Sequence, residues 1–350
     1  MKGKEEIVVS PLIKLPIDIV EDVIVADSLH LLHLGITKRL LMTYRDGQRG
    51  SDIKKWSTDI IQSISKCISS VQLPLEINRR VRCLENLGHW KGSECASFLN
   101  YLGIVILKLF LNDLHYENYC NLFCAVTICS VDYYRDLLPV AQSLLETYIA
   151  NYYTMFNSIT SNVHNLSHMV DEVKRFGPLS TISSYPYESH LYQIKKMVRS
   201  GRLPLNQIIN RISEKSAIKS VEQINSQKYP ILQYKLKSLK LTYSRIQISE
   251  NVTFSSNFAD KWILTHQKLI VAMECADEQG VHGRELNHVS SFQSYPFDFK
   301  HINIFRARNL SDFGDTKKYS IEEIFCKLVA VTVYEETVFI PLHHTVMSPV

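Results

Sequence analysis

Two carboxylates, Asp27 and Glu188, sit in strings whose residue types fit metal-ion chemistry on phosphodiesters. Asp27 closes the apolar run Val23-Ile24-Val25-Ala26 and opens Ser28-Leu29-His30-Leu31-Leu32-His33-Leu34-Gly35, so the pattern predicts an acid at a strand end. Glu188 lies in Ser184-Tyr185-Pro186-Tyr187-Glu188-Ser189-His190-Leu191, where proline starts a helix and the acid falls in its first turn. Carboxylates presented from separate elements can hold Mg²⁺ or Mn²⁺ ions that activate a nucleophile and stabilise a leaving oxygen. Two ions need a third carboxylate, for which the chain offers no candidate.

Further residues bear on such a site. On the helix expected after Pro186, Glu188, Leu191, Ile194, Lys195 and Val198 share a side, which turns the acid toward the protein body; the alternative is an ion pair with Lys195 or Arg199. His164 and His168 lie four apart on one helical face and read as site support, as zinc ligands together with His30, or as exposed histidines. Trp90 reads as a ring for stacking on DNA bases or as a packing anchor beside Lys91 and Glu94. Between Leu191 and Glu250 there are twelve Lys or Arg against three Glu, in a chain whose net charge is only +4. This segment, with Lys195, Lys196, Arg199, Arg202 and Arg211, suits a phosphate backbone or forms a solvated helix face.

The elements that must position these groups follow from periodicity. A strand is predicted to end at Asp27, followed by a helix over 28–44 that stops at Asp46-Gly47. From 51 to 156 the pattern is helical almost throughout, over 53–71, 76–87, 91–111, 116–130 and 132–156. Leu137, Leu144, Leu145, Tyr148 and Tyr152 keep a three-to-four spacing, so these helices pack on one another. Another helix spans 163–176, with Ser161-Asn162 as cap and Gly177-Pro178 as stop. From about 239 strand-like runs dominate, over 239–248, 262–273, 302–307, 325–334 and 337–342, with Glu335-Glu336 as a tight connection in a small barrel or sandwich.

The 350 residues are 45% hydrophobic and 21% charged, the balance of a globular protein. The longest apolar stretch, near 101–111, is too short and interrupted to span a bilayer. The start lacks a signal-peptide core, which places the chain inside the cell with no membrane partner. The eight cysteines form no Cys-x-x-Cys pair, so reduced thiols are expected; Cys120 and Cys124, one turn apart, are either half of a zinc site or core residues.

The strings Ser10-Pro11-Leu12-Ile13, Asp27-Ser28-Leu29-His30, Trp90-Lys91-Gly92-Ser93-Glu94, Asn162-Val163-His164-Asn165-Leu166-Ser167-His168, Phe176-Gly177-Pro178-Leu179 and Tyr185-Pro186-Tyr187-Glu188 occur in that order. The ordered set over residues 10–215 resembles the transposases of CACTA-type (En/Spm-like) DNA transposons and genes derived from them. The resemblance implies a nuclear, DNA-binding protein with a ribonuclease-H-like core of the Asp-Asp-Glu type. Asp27 would match the second acid, with His30 in its Asp-x-x-His signature, and Glu188 the third, with Mg²⁺ or Mn²⁺ as cofactor. The fold class then expected is α/β plus an all-α insertion plus a small β domain. Residues 1–50 would be partial core, 51–160 insertion, 161–238 returning core and 239–350 the β domain. The first acid belongs on an upstream strand, and Asp18 and Asp22 lie too close to Asp27 to replace it. A truncated or domesticated transposase, catalytically incomplete, is the function this implies; the alternative is a non-catalytic scaffold with a protein partner on its β domain, and either form could be a homo-oligomer.

Overall fold

Asp27 starts the first long helix by supplying its cap: its carboxylate accepts from the backbone N–H groups of Leu29 and His30, two of the donors a helix start leaves unpaired. The helix runs over Ser28–Thr37 in the wider π-register and continues as an α-helix over Lys38–Asp46. Gly47, at φ 82°, ends it where the Asp46-Gly47 break was expected. A computed structural model describes residues 11–18, 21–48, 53–219, 228–235 and 242–347.

No strand precedes Asp27 among the described residues. The backbone N–H groups of Val25 and Ala26 donate to the carboxylate of Glu172, at 3.0 and 2.8 Å, and Val23 and Ile24 face solvent. An apolar run becomes a strand only where a neighbouring strand takes its hydrogen bonds; here a side chain takes them. The expected sheet of a ribonuclease-H-like core is therefore not seen around Asp27.

The helical stretch forms largely as the spacing predicts, with helices Thr58–Ser70, Gly92–Ser97 continuing to Leu109, Asp113–Ser130, and Asp132–Leu137 leading into Leu138–Phe156. The exception is 76–87, where the described chain is a loop and a short 3₁₀ turn, Leu84–His89. Its first residue, Glu76, reaches the β region: its carboxylate accepts from Thr253 N–H at 3.0 Å and Lys327 Nζ at 2.7 Å. The helix over 161–176 begins two residues earlier than expected, with the Thr160 hydroxyl accepting from Val163 N–H, and stops at Gly177, φ 96°.

The C-terminal strands, in chain order, are β1 Ile231–Lys235, β2 Tyr243–Ser249, β3 Val252–Ser255, β4 Trp262–Thr265, β5 Ile270–Asp277, β6 Gly280–Leu286, β7 Ser290–Ser291, β8 Phe305–Ala307, β9 Phe313–Ser320, β10 Ile324–Val333 and β11 Glu336–Pro341. Their pairings are antiparallel, in the order β1-β2-β5-β4-β10-β11-β8-β7, with β3 on β2 and β6 joining β5 to β9. The run read as one strand over 262–273 is two, turned through Lys268 at φ 63°. Parts of the run over 239–248 lie outside the described residues. The observed arrangement is thus helices followed by one antiparallel sheet.

β10 ties the two regions together. Val329, Val331 and Val333 join the core of Leu99, Phe123 and Leu145, while Cys326, Leu328 and Ala330 face Trp262 and Phe339 on the other side. A strand buried on both faces alternates between two cores in this way.

Candidate functional site

The Asp27 carboxylate joins two helix starts. Oδ1 accepts from Ser184 N–H at 2.7 Å and Leu29 N–H at 3.2 Å; Oδ2 accepts from His30 N–H at 2.8 Å and lies 2.5 Å from His30 Nδ1. Burial pushes the Asp27 pKa up, but the Ser184 and His30 amides, the His30 ring and the Leu29 amide outweigh it and hold the acid below its ordinary value. Ser184 precedes helix Tyr185–Met197, in which Pro186 occupies the first turn and Glu188 follows as expected. His30 Nε2 lies 3.7 Å from Glu188 Oε1. Asp27, His30 and Glu188, far apart in sequence, therefore meet in space.

Behind this trio the strings Trp90-Lys91-Gly92-Ser93-Glu94 and Tyr185-Pro186 lock together. A Cβ on Gly92 would stand 2.3 Å from Leu29 Cδ1 and 2.7 Å from the Tyr185 hydroxyl, so only glycine lets helix Gly92–Ser97 approach both. The Tyr185 hydroxyl lies 2.9 Å from His33 Nδ1. Burial pushes His33 down to about 4, against the opposing pull of Asp27, so this imidazole is neutral near pH 7. Glu94 is buried; it accepts from Lys91 N–H at 2.8 Å and pairs with Arg82 at 2.6 Å. Gly35 serves a similar close approach, with a Cβ there falling 2.5 Å from the Asn162 side chain. Strings scattered over the sequence thus make one packed junction.

Other expected site residues stand elsewhere or are closed off. Trp90 is 2% exposed and its Nε1 donates to Cys83 O at 3.2 Å, so it is a packing anchor shut away from a nucleic-acid base. His164 and His168 are exposed and meet edge to face, ring centroids 5.4 Å apart. Cys120 and Cys124 are buried free thiols, and burial pushes Cys120 up to about 12. Glu188 does not turn inward: its side chain is 57% exposed, and no residue of its helix is buried.

That helix and the next, Pro204–Lys219, form an outlying hairpin. Lys195, Lys196, Arg199 and Arg202 are exposed on it, while Arg211 is half-buried and 3.9 Å from Glu214. Gln207, which carries no motif, fixes the connection: Oε1 accepts from Arg199 N–H at 2.8 Å and Nε2 donates to Arg202 O at 2.6 Å. Apolar side chains share this surface, with Tyr187 74% and Leu191 60% exposed.

The donor set does not fit a divalent pair. Both Asp27 oxygens are already engaged by protein donors, leaving Glu188 as the open carboxylate of the trio. Hard dications take anionic or carbonyl oxygens with free lone pairs, and His30 supplies none. Among the described residues no three His, Cys, Asp or Glu side chains are arranged to hold a metal ion. As placed, Asp27 binds amides, and His30 offers an exposed imidazole oriented by a carboxylate, an arrangement able to move a proton or meet a phosphate oxygen.

A second charged centre escaped sequence reasoning. Lys327, on β10, is 0% exposed, and its Nζ donates to Glu76 Oε2 at 2.7 Å, Asp260 Oδ1 at 2.6 Å and Thr253 O at 2.6 Å. The available signal was a lysine inside Phe325-Cys326-Lys327-Leu328, a strand with no solvent face, where a charge must be paired.

Comparison with known proteins adds one match: a family profile described as Domain of unknown function (DUF8592) covers residues 225–342. Those bounds enclose β1 to β11. No curated protein and no solved structure matches the chain. Among the described residues no helix is long and apolar enough to cross a membrane.

Proposed function

We propose that the chain is a transposase-derived protein that binds DNA through its helical hairpin and lacks a complete cleavage centre of its own. The observation that carries this reading is the meeting of Asp27, His30 and Glu188 beside an exposed basic surface, from strings whose order resembles CACTA-type transposases. In a ribonuclease-H-like ancestor these acids would hold Mg²⁺ or Mn²⁺; here Asp27 has become a cap shared by two helix starts, and the apolar run before it forms no strand among the described residues. The cations retained on the hairpin neutralise phosphates, and a nuclear location follows from that role.

Binding is tested by titrating labelled duplex DNA with the full chain at two salt concentrations. Contact with four phosphates gives a log–log slope of about −3.6, and alanine at Lys195, Lys196, Arg199 and Arg202 together flattens it. Affinity indifferent to salt contradicts the reading.

A second reading, a non-catalytic scaffold that docks a protein partner or another copy of itself, is favoured by the exposed Tyr187, Leu191, Leu205 and Ile209 on the same hairpin. Concentration-dependent self-association without DNA binding, unchanged by Asp27→Ala, selects it.

A further inference from the structure

The connection between helices Tyr185–Met197 and Pro204–Lys219 joins an acceptor hydroxyl to a dense run of cations. From Leu191 to Leu203 the chain carries Lys195, Lys196, Arg199 and Arg202 and no carboxylate. Ser200 stands between the last two, exposed and outside both helices. Val198, at φ −84° and ψ 113°, makes the backbone extended where the first helix ends, and a Cβ on Gly201 would meet nothing within 4 Å. Of the other described serines that adjoin a Lys or Arg, Ser65 and Ser216 lie within helices and Ser244 within β2. Ser200 alone among them offers its hydroxyl from a turn, where an enzyme can lay the backbone along its cleft without melting a helix or a strand.

We propose that Ser200 is a phosphorylation site and that its phosphate switches off DNA binding by the hairpin, an inference that rests on the DNA-binding reading above. The modifying enzyme is a serine kinase whose acidic cleft takes Lys195, Lys196 and Arg199 ahead of the acceptor, recognition by opposite charge. In the transfer the Ser200 O–H bond breaks and its proton passes to a base of the kinase; Oγ bonds to the γ-phosphorus of ATP, the bond from that phosphorus to the bridging oxygen breaks, and ADP leaves. The product carries a charge of about −2. Before modification the hydroxyl is neutral and accepts from Gln207 Nε2 at 3.2 Å, so no anion in the turn opposes the four cations. A phosphate there competes with DNA for Arg199 and Arg202, its sequence neighbours, through charge-assisted hydrogen bonds, and it cancels about half of the positive charge that a DNA backbone would meet.

The full chain is incubated with ATP and a serine kinase selective for basic residues before the acceptor; peptide mass spectrometry reads the modified residue, and the product is titrated with labelled duplex DNA at two salt concentrations. The expected result is phosphate on Ser200 and a log–log slope that falls from about −3.6 to about −1.8, two of four phosphate contacts being lost. Ser200→Asp, with a single charge, should fall between these slopes, and Ser200→Ala treated with kinase should keep the slope of the untreated chain. The proposal is overturned if phosphate is found on other residues and not on Ser200, or if the chain phosphorylated on Ser200 keeps the unmodified slope. A slope near zero before treatment is a different failure: it sinks the DNA reading and the switch together, while mass spectrometry still shows whether Ser200 accepts phosphate.

Discussion

The Lys327 centre and the Asp27 junction are both built from charges brought together over long sequence distances, yet they differ in access to water. Lys327 is enclosed by Glu76, Asp260 and a backbone carbonyl and joins the sheet to the helical body. Asp27 joins two helix starts but leaves His30 55% exposed and Glu188 open beside it. A closed cluster can only hold elements together, whereas an open one keeps side chains free to meet a ligand. The contrast is one of access to water and not of residue type.

The largest effect expected is at the closed centre. Lys327→Met leaves Glu76 and Asp260 as buried acids without their cation and should cost about 3–5 kcal/mol, read as a shift in the urea midpoint; a loss below about 1 kcal/mol would mean that water reaches the cluster. Asp27→Ala removes the acceptor for both helix starts and should cost about 2 kcal/mol, read in the same titration. Asp27→Asn should recover part of that loss, because one acceptor oxygen remains.

Acidity probes the junction from within. His33 titrates near 4 in the folded chain against an ordinary 6.5, so the unfolded chain takes up protons first as pH falls. Its contribution is complete above about pH 6.5 and fades toward 4, by about 1.4 kcal/mol per pH unit. Urea midpoints at pH 7.5 and 5.0 should therefore fall more steeply for the wild type than for His33→Gln; equal slopes would show that His33 is hydrated. The depressed Asp27 acts in a lower window: its stabilisation is present above its unfolded value of 3.8 and lost as pH falls through the lowered folded pKa. The smallest effect belongs to Glu188→Gln, within about 0.5 kcal/mol of wild type, since its helix buries nothing. Two acids paired by motif thus divide by stability.

The helices were legible because an apolar face announces itself at three-to-four spacing, as in Leu144, Leu145, Tyr148 and Tyr152, all buried. Two elements misled for one reason: their state depends on partners remote in sequence. The run ending at Asp27 has strand composition but finds Glu172 in place of a neighbouring strand, and 76–87 has helical composition but is drawn off by Lys327. Strands β6 and β9 were missed because their polar and charged residues, such as Arg284, Lys317 and Lys318, sit where no apolar alternation marks them. At the site, Asp27, His30 and Glu188 were legible from their strings and meet in space; His33 and Tyr185 lay in those strings unassigned. The inward turn expected of Glu188 failed because a shared helix side implies burial only where another element packs against it.

The most direct test of the central claim is a nicking assay on supercoiled plasmid with the full chain in Mg²⁺ or Mn²⁺. The prediction is salt-sensitive plasmid binding with no cleavage above buffer, unchanged in Asp27→Asn and Glu188→Gln. Metal-dependent nicking by the wild type that either substitution abolishes would contradict it, because Asp27 would then hold a metal ion and not the amides of two helices.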